Sequence, residues 1–167
     1  MRRIVLTALA ATLAAAGTAG AQDDRTQGRE LSELVFGSID LDGKGHVHMG
    51  DMERFRAEVF DAMDADGDLK ITYDEFSAWD PGYAIIAQAE GQPQAYATAT
   101  RIVFSFWDRN ADFVLTEAEM RFAVSADFRR ADLNDDGLLS EQEFLQSFGV
   151  IVALRAAIRP DIDFRVQ

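Results

Sequence analysis

The chain has 167 residues, with 29 acidic against 16 basic side chains, a formal charge of −13, a hydrophobic fraction of 48% and no cysteine. That apolar content can build a core for one domain or two small lobes and argues against global disorder. The missing cysteine excludes disulfides, thiolate metal sites and thiol catalysis, and the acidic balance excludes nucleic acid and anionic membrane surfaces as partners while favouring cations.

Residues 1–21 read as a signal peptide. Arg2 and Arg3 are followed by a small, apolar run from Ile4 to Ala16, and Ala19-Gly-Ala21 offers a small-x-small cleavage pattern. The run is too short for a comfortable membrane span. No polar residue stands just before the twin arginines, which favours an unfolded-export route. The expectation is therefore an exported protein, periplasmic or secreted, with its domain at 22–167 and no membrane attachment after cleavage. Losing two arginines and no acid takes the charge from −13 to −15.

From residue 40 onward the acids are gathered rather than scattered. Four twelve-residue stretches share one spacing: Asp40–Asp51, Asp64–Glu75, Asp108–Glu119 and Asp132–Glu143. Position 8 is apolar in each (Val47, Ile71, Leu115, Leu139), and a phenylalanine stands four residues before each (Phe36, Phe60, Phe104, Phe128). Another large apolar residue follows each stretch (Met52, Phe76, Met120, Phe144). Oxygens at positions 1, 3, 5, 7 and 12, with a left-handed turn at position 6, are what a short loop needs to wrap a calcium ion. Such repetition in phase outweighs any single motif.

The first loop is the poorest copy. Lys44 stands at position 5, where an anionic ligand belongs, and Asp51 at position 12 is a short carboxylate, so little or no calcium is expected there. His46 and His48 lie on alternate residues, but two nitrogens are too few to favour a transition-metal site. The second loop has Asp64, Asp66, Asp68, the Lys70 carbonyl and Glu75, with Leu69 at the turn position. The third has Asp108, Asn110, Asp112, the Val114 carbonyl and Glu119, with Phe113 at the turn. A non-glycine residue there costs about 1–2 kcal/mol. The fourth, with Asp132, Asn134, Asp136, the Leu138 carbonyl and Glu143, keeps both its ligands and its turn residue, Gly137. It is expected to bind most tightly.

On these loops and their in-phase phenylalanines, the chain resembles the EF-hand calcium-binding proteins, and among them the exported, calmodulin-like multi-EF-hand proteins of bacteria. The resemblance covers about residues 27–150. It implies an all-α fold of four helix-loop-helix units with short two-stranded contacts between paired loops, and Ca2+ in three of them. Dockerins, the other modules with such loops, lack entering helices, which the phenylalanines argue are present here.

Only twelve residues, Met52–Met63, separate the first loop from the second, and they have helical spacing with no glycine or proline. The same interval separates the third and fourth. A single helix should therefore leave one loop and enter the next, holding the two roughly 24 Å apart, beyond the reach of strand pairing at about 5 Å. The second loop is expected to pair with the third, and the first with the fourth. Between the halves, Asp80-Pro-Gly82 marks a turn, Tyr83–Glu90 a short helix, and Pro93 the start of a longer one. One apolar helix is expected from Phe144 to Ile158, stopped at Pro160.

No nucleophile, base and orienting group fall together, and no phosphate-cradling glycine loop is present, so the sequence points to a binding protein and not an enzyme. Two roles fit: a calcium buffer or calcium-stabilised module, and a calcium-dependent adaptor that exposes an apolar groove to a protein partner. Sensor grooves are methionine-rich, whereas this chain favours phenylalanine, with 12 Phe against 5 Met.

Overall fold

The computed structural model describes residues 26–159; the expected signal peptide and the tail beyond Arg159 lie outside the described residues. The first helix, α1, runs from Gln27 to Ile39, capped by Thr26, whose hydroxyl accepts from the Arg29 N–H. It stops where loop 1 begins, with the Asp40 N–H still bonded to the Phe36 carbonyl. The other three incoming helices end in the same way, on Asp64 to Phe60, Asp108 to Phe104 and Asp132 to Phe128 bonds. The phenylalanine before each loop thus buries its ring and accepts the last helical hydrogen bond.

The three-residue strand β1 (His46–His48) leads directly into α2 (Met49–Met63), and β2 (Lys70–Thr72) into α3 (Tyr73–Ala78). Then come α4 (Tyr83–Ala89) and α5 (Pro93–Trp107), the latter with proline in its first turn, where the missing N–H costs nothing. The second half repeats the pattern: β3 (Val114–Thr116), α6 (Glu117–Ala131), β4 (Leu138–Ser140), α7 (Glu141–Ser147) and α8 (Gly149–Ile158). Both linking helices are continuous. α2 passes through Arg56-Ala57 and α6 through Ser125 without a break, each over 15 residues.

The strands pair as those helices require. β1 lies antiparallel to β4 with Val47 opposite Leu139, and β2 antiparallel to β3 with Ile71 opposite Leu115. All four of these side chains are fully buried. Each sheet sits at the head of its own apolar cluster. One holds Phe36, Val47, Phe128, Leu139 and Phe144, closed by α4 and α8. The other holds Phe60, Ile71, Phe76, Phe104, Trp107 and Leu115. Phe55 and Val150 pack against both, so α2 and α8 join the two clusters.

The expected single helix from Phe144 to Ile158 is instead two, divided at Phe148, whose ψ of 113° is extended. Two contacts explain the division. The Phe148 ring stacks on Phe144 at 5.1 Å, which draws it inward. The buried Asp127 carboxylate of α6 faces the start of α8, close enough for the Val150 N–H to draw its charge. A Cβ on Gly149 would lie 3.1 Å from both Asp127 oxygens, so a side chain there would press on the carboxylate. Burial pushes the Asp127 carboxyl above its ordinary value against the opposing pull of Arg130 and Val150.

Asp127→Ala is expected to free the start of α8 and cost about 1–2 kcal/mol, the usual value of a lost helix cap. The urea midpoint should fall with an unchanged slope; an unmoved midpoint would show that α8 starts without this carboxylate.

Candidate metal centre

Each loop is built around the carboxylate at its first position. Asp64 accepts from the Gly67, Asp68 and Leu69 N–H groups at 2.9–3.1 Å. Asp108 accepts from Asp112 and Phe113 at 3.2 and 2.9 Å. Asp132 accepts from Asp136 and Gly137 at 3.1 and 2.9 Å. Even in loop 1, Asp40 holds Lys44 and Gly45 at 3.0 and 2.7 Å. The bond to position 6 turns the backbone left-handed, with φ of 66° at Leu69, 68° at Phe113, 77° at Gly45 and 79° at Gly137.

Position 4 is left-handed as well, at Gly43, Gly67, Ala111 and Asp135. That second constraint was not read from the sequence, because three residue types, Gly, Ala and Asp, satisfy it. Loop 3 carries the most strain: neither Ala111 nor Phe113 is glycine, whereas loop 1 has glycine at both positions.

Position 5 is aimed by the next turn of backbone. Asp68 accepts from Lys70, Asp112 from Val114 and Asp136 from Leu138, at 2.8, 3.2 and 2.8 Å. In loop 2, carboxylate oxygens of Asp64, Asp66 and Asp68 lie within 4.8 Å of one another. Three anions so close, in a half-exposed to exposed setting, repel one another unless a cation lies among them. In loops 3 and 4 the third position is an amide, Asn110 or Asn134, whose NH₂ bonds the position-5 carboxylate at 3.0 Å. Its oxygen accepts from the Asp112 or Asp136 N–H.

The last position closes each loop, and here the four divide. Glu75 accepts from Thr72 at 2.8 Å with one oxygen, and with the other reaches back across the loop to the Ala65 N–H at 3.1 Å. Glu143 does the same between Ser140 and Leu133, at 3.0 and 3.1 Å. Glu119 accepts from the Thr116 N–H at 3.0 Å, and the Asn110 and Arg109 backbone across the loop also draws its carboxyl down. The Thr72 N–H and hydroxyl hold the Glu75 carboxyl below its ordinary value. For Glu119 and Glu143 burial acts upward, but bonds from Thr116 and Ser140 outweigh it and both end lowered. All three are thus carboxylates at neutral pH.

The position-9 side chain is also fixed: Thr72, Thr116 and Ser140 each cap the following helix through the N–H of that glutamate. The S/T-x-x-E pattern that would have signalled this capping box stands in the sequence but was not read there.

Loop 1 supplies its own cations. The Lys44 ammonium pairs with Asp42, and Arg54 binds Asp51 at 3.2 Å while its other nitrogen reaches the Ile39 carbonyl at 2.8 Å. Asp51, one methylene shorter than glutamate, bonds His48 within its own capping box. His48 spends its Nδ1 on the Asp51 N–H and so acts as a helix cap. His46 faces Ser140 across the sheet.

Residues 55–78 and 126–148 match the family model of the EF hand. Both matches support an EF-hand calcium-binding protein, and they contain loops 2 and 4 whole. Loops 1 and 3, outside the matched segments, are the one with internal cations and the one with two strained turn positions. No curated protein matches the chain.

Glu143→Gln is expected to weaken one binding event in a calcium titration by at least about tenfold, or ~1.4 kcal/mol, whereas Asp51→Asn leaves the isotherm unchanged. Equal losses would contradict the division between the loops. Phe113→Gly relieves left-handed strain but frees the unfolded chain, for a net gain of about 0.5–1 kcal/mol. Urea unfolding at fixed calcium reads it, and a net loss would place that strain elsewhere.

Proposed function

We propose that the protein binds three calcium ions, in loops 64–75, 108–119 and 132–143, and that loop 40–51 binds none and braces loop 132–143 through β1. The observation that carries this reading is the contrast at position 12: a glutamate bridging its loop in three cases, an aspartate neutralised by arginine in the fourth. Seven-oxygen cages of this kind leave little open coordination for chemistry, so the role is binding and not catalysis. The four loops, with their paired strands and flanking helices, support a multi-EF-hand protein of calmodulin-like type. The leader-like segment at 1–21 supports export to the periplasm or beyond. Among the described residues no helix is long and apolar enough to cross a membrane.

Of the two roles, a calcium buffer or calcium-stabilised module is better supported. Three ions would take the −15 chain to −9, relieving self-repulsion. Helix α8 already covers both apolar clusters through Val150 and Ala153 on one side and Ile151 and Leu154 on the other. The adaptor reading rests on exposed rings in the third hand, where Phe106 and Phe113 are 79% and 77% exposed, as an apolar docking surface for a protein partner.

Calcium added to the chelated protein is expected to shift the emission of Trp107, next to the first ligand of loop 3, and to give three binding events by calorimetry. The buffer or structural role predicts gained helicity with less hydrophobic-dye binding; increased dye binding would favour the adaptor. A flat titration at millimolar calcium by both methods would sink the calcium reading.

A further inference from the structure

The chain carries 29 acids, yet none falls between Glu90 and Asp108, an interval that contains the whole of α5. The outward side of α2, by contrast, exposes Glu58 and Asp61. On α5, Thr98, Arg101, Ile102, Ser105 and Phe106 recur at helical spacing on one face, and all are exposed. Phe106 is 79% exposed, and Ile102 and the Phe122 ring of α6 are about half-exposed. The hydroxyls of this face are turned into their own helix. Thr98 donates to the Gln94 carbonyl at 2.8 Å and Ser105 to the Arg101 carbonyl at 2.9 Å. What remains outward is apolar surface and arginine.

Arg101 lies over the Tyr73 ring at 4.4 Å, and Arg109, just past the end of α5, over the Phe122 ring at 3.9 Å. Among the described residues neither guanidinium forms an ion pair, whereas Arg54, Arg56, Arg121 and Arg130 are all bound to carboxylates. A guanidinium steadied by a ring keeps its N–H fork for a carboxylate and loses little freedom in binding one. The two arginines are separated by roughly 12 Å at the rise of a helix, with Ile102 and Phe106 between them. That order of cation, apolar surface and cation matches a helix with carboxylates two turns apart and an apolar stripe between. Two arginines fall short of the basic cluster that holds an anionic bilayer, which would also face the rest of the acidic molecule. A peptide helix touches this face alone, and charges beyond about 8 Å are screened from it in physiological salt.

We propose that the outer face of α5 docks an acidic amphipathic helix of a protein partner, its apolar stripe on Ile102, Phe106 and Phe122 and its carboxylates on Arg101 and Arg109. These three apolar residues belong to neither core cluster, so the face is not the interior that a calcium-driven opening of the hands exposes. The proposal rests on the adaptor reading in its broad sense, that the third hand takes a protein partner, and adds the partner's charge.

The full chain in millimolar calcium is titrated against two alanine-based helical peptides of about 18 residues. One has a leucine stripe flanked by glutamates, the other the same stripe flanked by lysines, and the anisotropy of a fluorophore on the peptide reads binding. The expected result is saturable binding of the acidic peptide, at least about tenfold tighter than of the basic one and weakening as salt rises. The chain's overall charge of −13 favours the basic peptide, so the opposite preference comes from this face. Phe106→Asp abolishes binding, and Arg101→Glu with Arg109→Glu reverses the preference. Leu34→Asp, at a similarly exposed position on α1, changes nothing. Equal or tighter binding of the basic peptide overturns the acidic partner and leaves the adaptor reading standing. Binding of neither peptide overturns the proposal, while the hydrophobic-dye measurement decides the adaptor reading separately. Affinity unmoved by Phe106→Asp, or lost equally in Leu34→Asp, places docking elsewhere and overturns it too. So does tighter binding of phosphatidylglycerol vesicles, or self-association of the chain that Phe106→Asp removes while neither peptide binds. The comparison of peptides on the unaltered chain decides the matter even if a variant fails to fold.

Discussion

Helix α2 is at once the exit of one loop and the entrance of the next, and a regular helix of 15 residues cannot fold back on itself. From this rigidity the rest of the arrangement follows. Adjacent loops are held too far apart to share a sheet, so each must find its strand partner in the other half of the chain. The outcome is two small sheets, each joining distant segments, with a pair of buried aliphatic side chains at the middle of each. In such a plan loop 1 serves the opposite loop through its strand. Val47 is as fully buried as Leu139.

The loops share a backbone and differ in where the balancing positive charge comes from. All four fold around a first carboxylate that gathers the N–H groups of the turn, and all four bend left-handed at two positions. Loop 1 needs no outside cation, since Lys44 and Arg54 are within it or one turn beyond it. It also has glycine at both bent positions. The left-handed residues that are not glycine, Leu69, Ala111, Phe113 and Asp135, all belong to the other three loops. Strain persists where surrounding structure over-determines it, and here that structure is the bond from position 6 to the first aspartate.

Much of this was legible in the sequence because the relevant signals are periodic. The phenylalanine four residues before each aspartate and the aliphatic residue at position 8 fixed the helix ends and the strand centres. The length between loops fixed the pairing. The division of the last helix was hidden, because Phe148 reads as one more apolar residue in a helical run. Its cause lies in a contact from another helix, between Asp127 and the start of α8. Arg54 was hidden for a similar reason: its action on Asp51 depends on a helical turn placing the two side by side. The left-handed position 4 is glycine in only two of the four loops, at Gly43 and Gly67, which left no consistent signature. What sequence reasoning missed was in each case set by tertiary approach or backbone geometry, not by composition.

The pairing of loops also orders the assembly of the molecule in time. Ile71 and Leu115 lie about half as far apart along the chain as Val47 and Leu139, so the sheets are nested, one closure inside the other. Doubling the length of chain to be closed adds only about 0.6 kcal/mol of entropy, but contacts between distant segments form later. The inner pair can close once α5 and β3 exist. The outer pair must wait for β4, near the end of the described chain, and until then β1 has an open edge and an uncovered apolar face. Loop 1 is thus the first to be made and the last to be satisfied, and Lys44 and Arg54 pair with its carboxylates without waiting for β4.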